Sequence, residues 1–310
     1  MSFRLVRAAA AVLLSTAALA ACGSSGSGDQ TAEGPTRTVK HAMGETKVPE
    51  TPKRVVVLDT DKLDSMVSLG LSPVGAAQAD ASQKWPKYLG SALDATKAVG
   101  TLQAPNMEAI AALKPDLILG SKFRQEQFYA KLSRIAPTVF TEKVGSTWKE
   151  NFLLDADALG KKAQAEKLLA DYQARARSLN GSDAGTVSII RFIPGTIRMY
   201  GPTSFSGIVV GDAGFARPEP QQLNGAADRR FAELSQENLS QADGDVLFYC
   251  AYGEQAAQAQ ASVTAGPLWK NLKAVENGTA HNVDDEIWMT GIGVTAAGKI
   301  LDDLEKYAKP

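Results

Sequence analysis

Two arginines, Arg191 and Arg198, lie seven residues apart in short apolar segments on either side of Pro194-Gly195. Pro-Gly is typical of a tight turn, so the two segments predict the strands of a β-hairpin. A guanidinium in an otherwise apolar strand is costly unless it has a partner. It offers several planar hydrogen-bond donors and keeps its charge, which suits an anionic or oxygen-rich ligand. The alternatives are a solvent-facing edge or ion pairs with nearby acids.

Further basic and aromatic residues follow other predicted strands. In an open α/β fold, the loops after the carboxyl ends of the strands surround the ligand. Tyrosine and tryptophan supply flat apolar area with a polar edge. Trp148 and Trp269 are expected to pack in cores, and Arg124 could instead be a solvated loop charge. Besides the hairpin arginines, the candidate ligand contacts are Tyr200, Arg124, Trp288, Trp85 and Tyr252.

Several functional classes are disfavoured by composition and motifs. The two histidines, His41 and His281, fall in different halves without ligand spacing, so we expect no metal site. The sequence contains no Gly-x-Ser-x-Gly elbow, no phosphate-binding loop and no suitable Cys/His pair, so we expect no enzyme. A net charge of −1 gives no basic surplus for nucleic acid. Cys250 ends an apolar run and is expected to be a buried structural thiol.

The first residues have the features of an export signal. Arg4 and Arg7 precede an apolar run that ends in Leu-Ala-Ala before Cys22, which is similar to the bacterial lipobox, whose cysteine is lipidated. A Gly/Ser-rich stretch follows, which is typical of a flexible tether. We therefore predict a signal peptide at 1–21 and a lipidated tether at 22–37, which hold the chain on the outer face of the cell membrane. The alternative is an ordinary signal peptide with a coincidental cysteine.

The rest of the chain alternates short β-branched runs with helical patterns, which predicts βαβ units and mostly parallel sheets. From Trp148 to Leu179 there is no proline and one glycine, Gly160, so the pattern predicts one long helix. Two shorter helices with a bend at Gly160 are the alternative. The predicted organisation is an N-terminal α/β lobe at 38–146, a connecting helix at 147–180 and a C-terminal α/β lobe at 181–310.

Several segments stand in the order typical of one family: Pro52-Lys-Arg-Val-Val56, Pro105-Asn-Met-Glu108, Ala111-Ala-Leu-Lys-Pro-Asp-Leu-Ile118 and Pro267-Leu-Trp-Lys-Asn-Leu272. On these motifs the chain resembles the iron-siderophore and cobalamin class of solute-binding proteins, which feed ABC importers. Two further segments, Arg191 to Gly201 and Gly211 to Pro218, resemble the actinobacterial ferric-siderophore lipoproteins. The resemblance implies two Rossmann-like lobes joined by one long rigid helix, with the ligand in a cleft between them.

The resemblance also implies a function. The chain would capture a ferric siderophore, with the hydroxamate type favoured, and deliver it to the membrane permease. The siderophore would hold the iron, so the protein would need no cofactor and no metal ligand of its own. We expect a monomer that has no nucleic-acid partner. Haem or cobalamin binding on the same fold is the alternative, and a surface enzyme or adhesin is a more distant one.

Glu108 and Glu237 each stand at the beginning of a predicted helical segment in corresponding parts of the two lobes. The local interpretation is an acid in the first turn, favoured by the helix dipole. The resemblance implies that both glutamates dock into arginine pockets on the permease subunits. The sequence departs from the pattern of enteric ferric-hydroxamate binders at Thr101-Leu-Gln103, where no arginine precedes the Pro-Asn motif. The siderophore subtype is therefore open.

Overall fold

The computed structural model describes residues 34–79, 85–183 and 185–308, so the predicted signal peptide and Cys22 lie outside the described residues. The first strand begins at Thr36. The predicted tether, which ends at residue 37, is therefore two residues too long. Arg37 is held in place because its guanidinium donates to the backbone oxygens of Asp157 and Ala158.

The N-terminal lobe is built on a six-stranded sheet beside a two-stranded hairpin. The strands are β1 (Thr36–His41), β2 (Gly44–Pro49), β3 (Val55–Val57), β4 (Gly75–Gln78), β5 (Lys97–Thr101), β6 (Ala104–Pro105), β7 (Leu117–Ser121) and β8 (Thr138–Thr141). The larger sheet has the order β6-β5-β4-β3-β7-β8, and every pairing except β5–β6 is parallel. β3 and the Leu117–Leu119 part of β7 are continuously apolar and buried, as expected for strands covered on both faces.

The helices of the first half and of the connection follow. They are α1 (Thr60–Ser68), α2 (Met107–Ala112), α3 (Lys122–Gln125), α4 (Tyr129–Leu132), α5 (Trp148–Ala158) and α6 (Lys162–Ser178). The prediction of one long helix is wrong, and the alternative with a break at Gly160 is correct. Gly160 has φ +71°, and its N–H and that of Lys161 bond back to Asp157 and Ala156 in a Schellman motif. A Cβ at Gly160 would lie 2.5 Å from the Glu50 carbonyl oxygen, so the close approach requires glycine.

The C-terminal lobe carries a five-stranded mixed sheet of order β11-β10-β9-β12-β13. Its strands are β9 (Val187–Ile193), β10 (Thr196–Tyr200), β11 (Phe231–Leu234), β12 (Val246–Ala251) and β13 (Ala280–Asn282). Its helices are α7 (Phe205–Asp212), α8 (Gly253–Ala265), α9 (Pro267–Lys270), α10 (Lys273–Glu276) and α11 (Val294–Tyr307). The β9–β10 hairpin is confirmed. It makes this sheet antiparallel on one side, so mostly parallel pairing holds only for the N-terminal sheet.

One hydrophobic core passes from lobe to lobe through the connecting helices. It contains Leu63 of α1, Phe152 of α5, Leu169 of α6, Val209 of α7 and Ile300 of α11. Each lobe also has a smaller core cluster of its own, but the shared core means that apolar burial opposes separation of the lobes.

A buried charge network reinforces the contact between α1 and α5. The Lys62 ammonium is fully buried and donates to Asp61 and Thr141 at 3.0 Å each. It also lies 3.3 Å from the Asp155 carboxylate, which accepts from Ser65. Burial raises the pKa of Asp155 to about 7, against the opposing charge of Lys62. Removing either partner would leave an uncompensated buried charge, so the network fixes the register of α1 on α5.

Asp64 joins the lobes directly. This α1 carboxylate is fully buried and accepts the backbone N–H groups of Thr295 and Ala296 at 2.9 and 3.0 Å, in the first turn of α11. The Tyr88 hydroxyl donates to the same carboxylate at 3.1 Å. Gly293 precedes the helix with φ +150°, and a Cβ there would lie 2.4 Å from an Asp64 oxygen. An N-lobe side chain therefore caps a C-lobe helix.

The Asp64 carboxylate predicts a pH-dependent stability. Burial raises the pKa of Asp64 to about 6 from an ordinary 3.8, although its hydrogen bonds oppose the shift. The folded chain therefore holds this proton to a higher pH than the unfolded chain, and the group's contribution to the free energy of unfolding falls as pH rises from about 4 to about 6. The Asp64→Asn variant has no ionising group at this position. Its free energy of unfolding relative to wild type should therefore rise by about 3 kcal/mol as pH increases across that window.

Urea unfolding at a series of pH values from 4 to 7 measures this difference. Val67→Ala, an uncharged change on the same helix, is the matched control, and its offset from wild type should not depend on pH. An offset for Asp64→Asn that stays constant over the series would contradict a buried ionising carboxylate at this position.

Candidate ligand-binding site

Among the described residues, three cavities are lined from both lobes, and two of them contain predicted ligand contacts. We call the larger the Trp85 cavity; it has a volume of about 500 Å³ and is lined from both lobes. We call the smaller the Phe123 cavity; it has a volume of about 170 Å³ and is lined by Phe123 and Arg124 of the N-lobe and by Tyr200 and Arg230 of the C-lobe. Both lie where loops leave the carboxyl ends of strands, as predicted.

Arg191 and Arg198 are cross-strand neighbours on the β9–β10 hairpin, as their spacing predicts. Arg191 is already paired, because its guanidinium binds Asp285 through two hydrogen bonds of 2.5 and 2.6 Å and Thr290 at 3.1 Å. Burial disfavours its charge, but the Asp285 contacts outweigh burial and raise the pKa of Arg191. The guanidinium also lies 4.7 Å from the Tyr252 ring centre. The alternative of an acidic partner is thus correct for Arg191.

Arg198 differs from its neighbour. Its guanidinium stacks on Phe231, with 4.2 Å between the guanidinium carbon and the ring centre. Its Nε is buried and has no hydrogen-bond partner within the described ranges, and no carboxylate there forms an ion pair with it. Two like charges opposite each other in a sheet repel. Asp285 neutralises Arg191 but not Arg198, so Arg198 retains the capacity to bind an anion.

Arg124 is the N-lobe donor, and a buried carboxylate orients it. Its Nε donates to Asp59 at 3.0 Å, while 23% of its side chain stays exposed. Asp59 is fully buried at the N-cap of α1, just after β3, and also accepts from the Ser121 hydroxyl at 2.7 Å. Burial raises the pKa of Asp59, and the charge of Arg124 opposes that shift. The remaining guanidinium donors are free to reach a ligand.

The predicted aromatic contacts divide between cleft and core. Trp85 and Tyr252 line the Trp85 cavity, and Tyr200 lines the Phe123 cavity. Trp288 also lies in the wall of the Phe123 cavity, but its side chain is not exposed to the cleft. Its side chain is fully buried, stacks on Phe248 with 4.5 Å between ring centres, and donates to Asp303. It is a core residue of the C-lobe.

Three cleft residues were not among the candidates. Phe123 is an exposed aromatic of the N-lobe, and the Arg230 guanidinium of the C-lobe approaches its ring at 5.8 Å. The Phe231 ring stacks on the Arg198 guanidinium. The run Asp228-Arg-Arg-Phe231 could have indicated these residues. Its polar and apolar residues do not alternate as in a half-buried strand, so the sequence did not predict β11. Arg230 is paired with Asp228 at 2.8 Å.

Arg217 supports the site from behind. It lies in the Gly211–Pro218 segment, is buried, and donates to the backbone oxygens of Val187 and Tyr200 and to the Gln221 side chain. No carboxylate pairs with it in the described part of the chain, and burial lowers its pKa to about 9. Arg217 thus holds β9 and the end of β10, on which Arg198 and Tyr200 lie.

The remaining predicted residues lie outside the cleft. Glu108 is exposed in the first turn of α2, and Glu237 is exposed in the first turn of a 3₁₀ helix, Gln236–Ala242. Cys250 is a buried thiol whose pKa is raised by burial, and its Sγ lies 3.5 Å from Asp285. Over residues 34–79, 85–183 and 185–308, no cluster of three or more His, Cys, Asp or Glu side chains could hold a metal ion. No helix in these ranges could cross a membrane.

Two α/β lobes facing each other across a donor-rich cleft define the class of solute-binding proteins. Residues 55–285 match the family model described as periplasmic binding protein. The chain is 41% identical over 309 residues to the probable siderophore-binding lipoprotein YfiY of Bacillus subtilis (strain 168), which covers 95% of each chain. It is 31% identical to the Fe(3+)-citrate-binding protein YfmC of the same strain, which covers 98% of this chain and 97% of that protein.

Solved structures agree with these relatives. The Staphylococcus aureus SirA structure, complexed with staphyloferrin B, superimposes with a TM-score of 0.77 at 34% identity, covering 88% of this chain and 98% of that chain. The chain therefore belongs to the periplasmic binding protein family. Its relatives are binding proteins, which confirms the prediction that it is not an enzyme.

The support that Arg217 gives to the hairpin can be measured as stability. Arg217→Met should lower the free energy of unfolding by about 2–4 kcal/mol, because buried oxygens of Val187, Tyr200 and Gln221 would lose a charged donor. Urea unfolding at pH 7 is the measurement. Arg177→Met, at an exposed position on α6, is the control and should change stability by less than about 0.5 kcal/mol. Equal stability of the two variants would show that Arg217 does not hold the hairpin.

Proposed function

We propose that this chain captures a ferric siderophore in the interlobe cleft and delivers it to the permease of an ABC importer. The observation that carries the proposal is the Arg198 guanidinium, which has no carboxylate partner in the described ranges and stacks on Phe231, a wall residue of the cavity that also contains Arg124 and Arg230. A ferric siderophore presents oxygens to such donors and an organic backbone to the aromatic rings. The siderophore holds the iron, so the protein supplies no metal ligand. The names of YfiY and of the SirA complex support this assignment.

The charge of the cleft bears on the type of siderophore. Hydroxamates neutralise Fe³⁺ charge for charge, whereas catecholate and carboxylate groups leave the iron centre anionic. An unpaired arginine is better matched by an anion than by a neutral centre. The citrate ligand in the name of YfmC points the same way. We therefore favour an anionic, carboxylate-bearing complex over the hydroxamate type expected from the sequence.

Titration of the chain from residue 23 onward, followed by tryptophan fluorescence, tests both statements. Ferric citrate or a ferric catecholate should bind with submicromolar affinity and more tightly than a ferric hydroxamate. Arg198→Gln should weaken binding more than tenfold, about 1.4 kcal/mol. Arg177→Gln, on the exposed face of α6, is the matched control. If no ferric complex binds, the function is wrong; if the hydroxamate binds best, the charge argument is wrong.

Delivery to the permease is the second part of the proposal. Lipidation of Cys22 would hold the chain on the outer face of the cell membrane, within reach of the permease. The exposed Glu108 and Glu237 offer one carboxylate from each lobe for docking on arginines, and docking on both lobes at once could report whether the cleft is closed.

Docking and ligand binding should be separable. Glu108→Gln and Glu237→Gln should leave siderophore affinity unchanged, because both positions lie outside the cleft. Each should reduce iron uptake in cells that depend on this chain, since a rim charge mainly governs the association rate. Glu166→Gln, an exposed acid on α6, is the control. Normal uptake with both glutamates changed would argue against docking at these positions.

A further inference from the structure

The Trp85 cavity differs in charge from the Phe123 cavity. Its lining includes three consecutive acidic residues, Asp284, Asp285 and Glu286, together with the amides of Gln260 and Asn282. Lys87 also contributes to the lining; it is exposed, and its backbone N–H is the group that Glu286 binds. The ends of the cleft therefore carry opposite charge, basic near Phe123 and acidic near Trp85.

Two of the three acids retain their negative charge. Asp285 is neutralised by Arg191. The Asp284 carboxylate accepts a hydrogen bond from the Glu286 backbone N–H at 2.8 Å. The Glu286 carboxylate accepts one from the Lys87 backbone N–H at 2.8 Å. Neither forms an ion pair with a cation in the ranges that the structure covers. Backbone bonds fix their positions without cancelling their charge, so a ligand cation would meet preoriented carboxylates.

The uncharged residues of the lining also favour a ligand that donates a hydrogen bond. The Gln260 Oε1 atom is buried and has no hydrogen-bond partner among the described residues, so an acceptor on this wall is unused. Such an atom is costly to bury unless a donor reaches it. Trp85 and Tyr252 supply ring faces from opposite lobes, and Tyr252 already has a guanidinium above its ring at 4.7 Å. Aromatic faces attract ammonium groups as well as guanidinium groups.

We propose that the Trp85 cavity binds a protonated amine carried on the organic arm of the siderophore, while the anionic iron centre lies at the arginine end of the cleft. This inference rests on the proposed function. The ligand is then dipolar: its chelating groups are anionic and its arm ends in an ammonium. A volume of about 500 Å³ leaves room for an aminoalkyl chain. Selection arises because an arm without a cation leaves Asp284, Glu286 and Gln260 unmatched.

Two synthetic chelates that differ in one group test the proposal. Both are citrate-based ferric complexes with an aminopropyl arm, and in one of them the amine is acetylated, which removes its charge. Wild type should bind the free amine at least tenfold more tightly. In the double variant Asp284→Asn/Glu286→Gln this ratio should fall to nearly one, while the affinity for the acetylated chelate is unchanged. Glu166→Gln should keep the wild-type ratio.

The outcomes separate this inference from the proposed function. If no ferric chelate binds, the proposed function fails and the amine subsite fails with it. If both chelates bind wild type equally, the function stands and the subsite is wrong. Should the double variant fold poorly, the wild-type ratio measured from 0.05 to 0.5 M salt replaces it. A charge-based preference must shrink with added salt, and a ratio that does not change with salt would overturn the proposal.

Discussion

The arrangement of the cleft depends on one buried carboxylate that crosses the boundary between the lobes. Asp64 of α1 accepts the first N–H groups of α11, and Gly293 leaves the space for that approach. The hydrogen bonds act on a boundary that is already apolar, since one core extends through α1, α5, α6, α7 and α11. Because tight packing resists continuous deformation, the lobes should move as blocks about this boundary, with small amplitude.

A nearly rigid frame places the discrimination between ligands on the side chains of the cleft. Three guanidinium groups of the site have carboxylate partners: Asp59 for Arg124, Asp285 for Arg191 and Asp228 for Arg230. These pairs are oriented before a ligand arrives, so less conformational freedom is lost on binding. The neutralised pairs still offer directional N–H donors, while Arg198 supplies uncompensated charge. Orientation and charge are thus assigned to different arginines of the site.

What the sequence could predict depends on how local the cause is. The β9–β10 hairpin followed from Pro194-Gly195 and two apolar runs, all of which are local in the chain. The full burial of Trp288 depends on its contacts with Phe248 and Asp303, which no local pattern indicates. The Asp64 contact spans 231 residues and leaves no local pattern.

The break at Gly160 shows the same limit within a single segment. An isolated glycine is compatible with a continuous helix at a cost of about 1 kcal/mol, so the pattern alone favoured one helix. The deciding groups are the Glu50 carbonyl and the Arg37 guanidinium, which come from the first hairpin and meet the end of α5. With that contact, a chain that ends α5 and turns into α6 is more stable than one continuous helix. α5 can then pack on α1 of the N-lobe while α6 packs on α7 and α11, so the break lets one connection serve both halves of the core.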